Sequence, residues 1–187
     1  GSLLGGAAGD ALGYPVEFVP DHAIRDFYGP EGITAYRNGQ GWISDDTQMT
    51  LFTAEGILSG LTQNRLNGTS IPLRKYVESA YADWLSTQRL GAQPPQPVVS
   101  RNGSRLLQYP ELYSRRAPGN TCLSALAERP KRSVTDFIAA PLNNSKGCGG
   151  VMRVAPTAML HSEDIRAISM EGAQIAAITH SHPLGYL

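Results

Sequence analysis

The sequence predicts an all-α protein with a single domain over residues 1–187. Three observations predict it. Apolar residues recur at steps of three and four along several stretches. The 20 glycines and 13 prolines cluster between those stretches, where helices start and stop. No pair of segments carries the alternating pattern of a half-buried hairpin.

Taken in order, residues 2–12 place Leu3, Leu4, Ala7, Ala8, Ala11 and Leu12 at helical spacing, with Gly13 as the stop. Residues 13–43 hold Pro15, Pro20, Gly29, Pro30, Gly32, Gly39 and Gly41 and read as a long irregular segment, of a length often reserved for function. Ser44 or Asp45 caps a helix that runs to about Gly60, with Leu51, Phe52, Ala54, Ile57 and Leu58 on its apolar face. Pro72 opens the clearest helix, in which Leu73, Tyr76, Val77, Ala80, Tyr81, Trp84 and Leu85 form the stripe. A polar loop over 91–105 follows. Pro118-Gly119-Asn120 turns into a short helix capped by Asn120 or Thr121. Residues 141–150 are a glycine-rich turn, and Val151 to Leu160 reads as a helix disturbed by Pro156. Ser162 caps a final helix from Glu163 to Thr179.

Lys plus Arg equals Asp plus Glu at 16 each, which argues against a nucleic-acid or acidic-membrane interface. Cys122 and Cys148 are too few for a disulfide framework, so a reducing, cytoplasmic setting is expected. No apolar run approaches the roughly 20 residues of a membrane span.

Four constellations carry possible chemistry. Ser44-Asp45-Asp46-Thr47 puts two carboxylates and two hydroxyls into one helical turn. Hard divalent cations take such oxygens, although the same four residues make a good helix cap without a metal. Asp10 lies in an apolar helical stretch and needs a partner, while Glu17 follows a Gly/Pro break and can face a cleft. Gly147-Cys148-Gly149-Gly150 is an anion cradle in principle, though not a P-loop. His180-Ser181-His182 has the wrong spacing for a helical metal pair, but one imidazole can meet a ligand. A Cys148–histidine nucleophile pair is the minor reading, because a cysteine is more often a buried structural residue.

In sequence, these motifs add up. Gly1 through Gly13 with Glu17, Ser44 through Met49, Pro118 through Thr121, Ser145 through Arg153, and Thr179 through Pro183 together resemble the ADP-ribosylglycohydrolase family. The type that activates dinitrogenase reductase is most similar. The resemblance implies an all-α fold around a cleft with two Mg²⁺ or Mn²⁺ ions, and removal of ADP-ribose from an ADP-ribosylated protein or an ADP-ribose-containing small molecule. By position it implies Ser44, Asp45 and Asp46 as metal ligands, and Glu17 and Asp46 as catalytic acids. It implies Gly147, Cys148, Gly149, Asn120 and His182 as ligand-binding residues. Eye-lens crystallins share the resemblance, so a non-catalytic ADP-ribose-binding or structural member is the alternative.

Many family members have Thr where this chain has Ser44, which keeps the hydroxyl, and a larger departure lies further on. After residue 150 the only acids are Glu163, Asp164 and Glu171, and none forms the family's second Asp-x-Asp metal motif. The expectation is a domain incomplete at its C-terminus and at its N-terminus. A missing segment or a second chain would complete it, and without one it would hold metal poorly.

Overall fold

The longest helices form the centre. In this computed structural model, which describes residues 1–91, 103–160 and 163–187, α3 (Asp45–Asn67) and α4 (Leu73–Leu90) pack antiparallel across a short turn. Gly56 and Gly60 make that approach possible: a Cβ on Gly56 would stand 2.7 Å from Val77 Cα, and one on Gly60 would stand 2.8 Å from Leu73 Cδ2. Gly60 is therefore a contact residue and not the expected stop. The helix runs on to Gly68, which closes it in the left-handed conformation at φ 62°.

Around this pair lie α1 (Ser2–Gly13), α2 (Asp21–Tyr28), α5 (Asn120–Glu128), α6 (Ile165–Ala177) and the short α7 (Pro183–Tyr186). No strand is present among the described residues. The core joins Met49 and Phe52 of α3, Val77, Tyr81 and Trp84 of α4, Tyr113, Phe137, and Ile175 and Ile178 at the end of α6. A buried polar strip crosses it. Gln48 Oε1 accepts from Trp84 Nε1 and from Gln88 Nε2, both at 3.1 Å, and Gln48 Nε2 donates to the Ser114 carbonyl at 2.9 Å.

Four expectations change. Residues 13–43 contain α2, which groups Ala23, Ile24, Phe27 and Tyr28 on one face yet buries none of them; extended Pro20 starts it and Gly29 at φ 85° stops it. The stretch expected as one helix after the glycine turn is two 3₁₀ segments, Cys148–Arg153 and Ala155–Met159. Helix α6 starts two residues later than expected: Asp164 caps it by accepting from Ala167 N at 3.0 Å, and Ser162 lies outside the described residues, as does most of the 91–105 loop. Cys148 is exposed while Cys122 is buried, and both are free.

Two fully buried arginines tie the rest to the end of α6. Arg129 donates to the carbonyls of Ile178 at 2.7 Å and Ala177 at 2.9 Å. Arg153 donates to the Gly149 carbonyl at 2.8 Å and to Thr179 Oγ1 at 2.7 Å, and lies 4.5 Å from the Tyr81 ring centroid. A cation at a helix C-terminus meets the negative end of the dipole and satisfies carbonyls that lack partners in the helix.

Candidate active site

The N-terminus of α3 is the focus. Ser44 caps it: its hydroxyl accepts from Asp46 N at 3.2 Å and donates to Asp46 Oδ2 at 3.1 Å. A second cap comes from outside the helix. Asp10 of α1 accepts through Oδ2 from Ser44 N at 2.9 Å, Thr47 N at 3.2 Å and Thr47 Oγ1 at 2.5 Å. The acid that needed a partner has found the orphan amides of a neighbouring helix. The same contacts fix α1 at the mouth of α3.

Asp45 points the other way, towards α5. It is 4% exposed, and its Oδ2 accepts from Gly119 N at 3.3 Å. Burial pushes its pKa up to about 7, the Gly119 bond opposes this, and the charges of Asp46, Glu17 and Asp10 add to the rise. Asp46 is raised as well, first by burial and then by Asp10. Glu17, on the loop after α1, is raised by desolvation and by Asp46 and Asp10. Among the described residues, none of these four carboxylates is ion-paired with a Lys or Arg. Arg116 is the nearby cation, held by the Ile43 carbonyl at 3.1 Å and stacked 4.6 Å from the Trp42 ring centroid. A cleft of about 200 Å³ opens beside the cluster, with Asp10, Asp46 and Met152 in its wall.

The glycine turn is built on His180. This histidine is 3% exposed, and its Nδ1 lies 2.8 Å from Thr179 Oγ1. Arg153 donates to the same hydroxyl, so Thr179 Oγ1 joins the guanidinium to the imidazole. Burial holds the imidazole neutral, with a pKa near 4. Its ring packs under the turn: a Cβ on Gly149 would stand 2.9 Å from Cε1, and one on Gly147 would stand 3.4 Å from Nε2. Cys122 Sγ lies 3.9 Å from the Gly149 carbonyl.

The residues singled out in the sequence are thus distributed unevenly. Ser44, Asp45, Asp46 and Glu17 share one electrostatic field. Gly147, Cys148 and Gly149 sit with buried His180, whereas His182 caps α7 by accepting from Leu184 N at 3.0 Å. Asn120 is the exposed first residue of α5, whose N-cap is Gly119. Asp10 and His180 were noted in the sequence without a structural role, and Thr179 and Arg153 only as parts of motifs. A cross-helix cap and a buried Arg153–Thr179–His180 chain leave no local spacing to read.

Beside the cluster lies a second cavity of about 530 Å³, bounded by Tyr14, Phe18, Trp42, Arg37, Asn38 and Ala117 among others. Asn38 at φ 55° and Ala117 at φ 49° are the left-handed non-glycine residues among those described. Such conformations cost on the order of 1 kcal/mol or more each and concentrate at ligand clamps.

Fold and site together define an all-helical protein that gathers carboxylates at a helix start, next to a glycine turn. The family model of ADP-ribosylglycohydrolases matches residues 1–187, and the chain belongs to that family. It is thereby a member of a hydrolase family whose substrates carry ADP-ribose. No curated protein matches the chain. No described helix is long and apolar enough to cross a membrane.

Proposed function

We propose that the chain is a metal-dependent hydrolase that removes ADP-ribose from a modified protein side chain, with arginine the favoured acceptor and dinitrogenase reductase-activating enzymes the nearest type. One observation carries the reading: four carboxylates share a field at the start of α3, none of them ion-paired with a Lys or Arg among the described residues, and the Asp45 pKa is pushed up to about 7. Such a field attracts a cation.

The donor set fits a hard divalent ion, because it offers carboxylate and hydroxyl oxygens. Ser44, Asp45 and Asp46 would hold Mg²⁺ or Mn²⁺, which when bound would lower the pKa of a water and orient ribose hydroxyls. Asp46 and Glu17 then stabilise the positive charge that develops on the ribose at the transition state. In the reaction, the water oxygen bonds to the anomeric carbon and the bond to the guanidino nitrogen breaks. One water proton goes to that nitrogen. The diphosphate rests at Gly147, Cys148 and Gly149, with Asn120 and His182 along the ligand's path. The free thiols of Cys122 and Cys148 accord with a cytoplasmic setting.

A second reading has its own observation. Among the described residues, no three His, Cys, Asp or Glu side chains converge closely enough to hold a metal. That favours a non-catalytic ADP-ribose binder of the same fold. Titration calorimetry with ADP-ribose, with and without Mg²⁺, separates the two. Metal-dependent binding, together with hydrolysis lost in the Asp45→Asn/Asp46→Asn double variant, supports the enzyme. Full hydrolysis by that variant in metal-free buffer would sink the metal assignment, and no binding of ADP-ribose with or without Mg²⁺ would sink the enzyme reading.

A further inference from the structure

We infer that the cavity of Tyr14, Phe18 and Trp42 receives the leaving side, meaning the modified arginine side chain and the peptide that carries it. The inference rests on the proposed hydrolase reading and deepens it by assigning the acceptor's place.

One short stretch of chain links the cavity to the rest of the site. Ala117 lines the cavity, Gly119 N donates to Asp45, and Cys122 lies against the Gly149 carbonyl. Residues 117–122 therefore run from the cavity, past the carboxylates, to the glycine turn. If the diphosphate occupies the turn and the ribose the carboxylates, what remains on the cavity side is the group that departs. Glu17 adjoins the same cavity, one residue before Phe18.

The chemistry of the wall agrees. Trp42 is 46% exposed and Phe18 is 79% exposed, so both rings are open to a partner. Trp42 already lies beside a guanidinium, that of Arg116, and an indole face suits a flat cation. Asp10, Asp46 and Glu17 supply the negative field that a modified arginine needs. Arg37 in the lining suits a carboxylate or carbonyl of the same peptide. The left-handed Asn38 and Ala117 both belong to this cavity.

Fluorescence tests it on the full chain. Trp84 is fully buried, so changes in acrylamide quenching report Trp42. The probes are ADP-ribose, an arginine-ADP-ribosylated peptide, and the same peptide unmodified. The modified peptide should protect Trp42 while ADP-ribose alone does not. Phe18→Ser, an exposed change that spares the core, and Trp42→Ala should each lower affinity for the modified peptide relative to ADP-ribose by about tenfold. Equal losses for both probes, no loss, or protection of Trp42 by ADP-ribose alone overturns the assignment while leaving the parent reading intact. Wild-type chain that binds neither ADP-ribose nor the modified peptide overturns the parent reading and this one together.

Discussion

Asp45 is one buried carboxylate with several roles. Its raised pKa makes stability pH-dependent, and the sign follows from linkage. An acid whose folded pKa lies above its unfolded value of about 3.9 binds more protons when folded, so its contribution is present at low pH. It is lost as pH rises through about 7. Asp45→Asn keeps an acceptor for Gly119 N and removes the charge. It should therefore raise Tm by a few degrees at pH 8, at roughly 2–4 °C per kcal/mol, and change it little at pH 5. A scan at both values checks this, and equal shifts would show that the charge is not the cause.

Arg153 has the opposite character, a buried cation with carbonyls, a hydroxyl and a ring for partners. Arg153→Met would take the guanidinium away from the Gly149 carbonyl and from Thr179 Oγ1, which bonds His180 in turn. The expected cost is about 3 kcal/mol by denaturant unfolding, because buried polar groups lose their partners together.

At the scale of elements, packing decides where propensity would mislead. Gly-to-Ala in an exposed helix gains about 0.5–1 kcal/mol. Gly5→Ala should realise that gain, since nothing lies within 4 Å of its Cβ position. Gly56→Ala should instead cost roughly 1–3 kcal/mol, because the new methyl meets the α4 backbone at Val77. Gly60→Ala should fall between, as it meets the movable side chains of Leu73 and Tyr76. Thermal melts of the three variants give the order directly. The reverse order would mean that α3 and α4 are not held as closely as their glycines indicate. Legibility varies in the same way. The α4 stripe was plain in the sequence because one face of a helix is buried. Helix α2 was not, because its stripe of Ala23, Ile24, Phe27 and Tyr28 spans only eight residues between Pro20 and Gly29, inside a segment dense in turn residues.

On the scale of the whole molecule, the site is where α1, α3, α5 and the glycine turn meet, so occupancy should couple to global stability. Mg²⁺ should raise Tm at pH 8, where Asp45 is ionised, and much less at pH 5.5, where it is protonated. The same rise with KCl at matched ionic strength would point to screening instead.

The sequence by itself determined the helical class, the cap at Ser44, the carboxylate pair and the glycine turn, and in their order the family. These follow from local rules, namely period, capping chemistry and motif spacing. Only the tertiary structure decided that Asp10 caps α3 from α1, that Gly60 is a contact and not a stop, and that His180 is the imidazole beneath the turn. It also decided that Ala117 and Asn38 share a cavity. Each of those joins residues far apart in the chain, and burial and close approach are properties of the packed whole that no short window of residues contains.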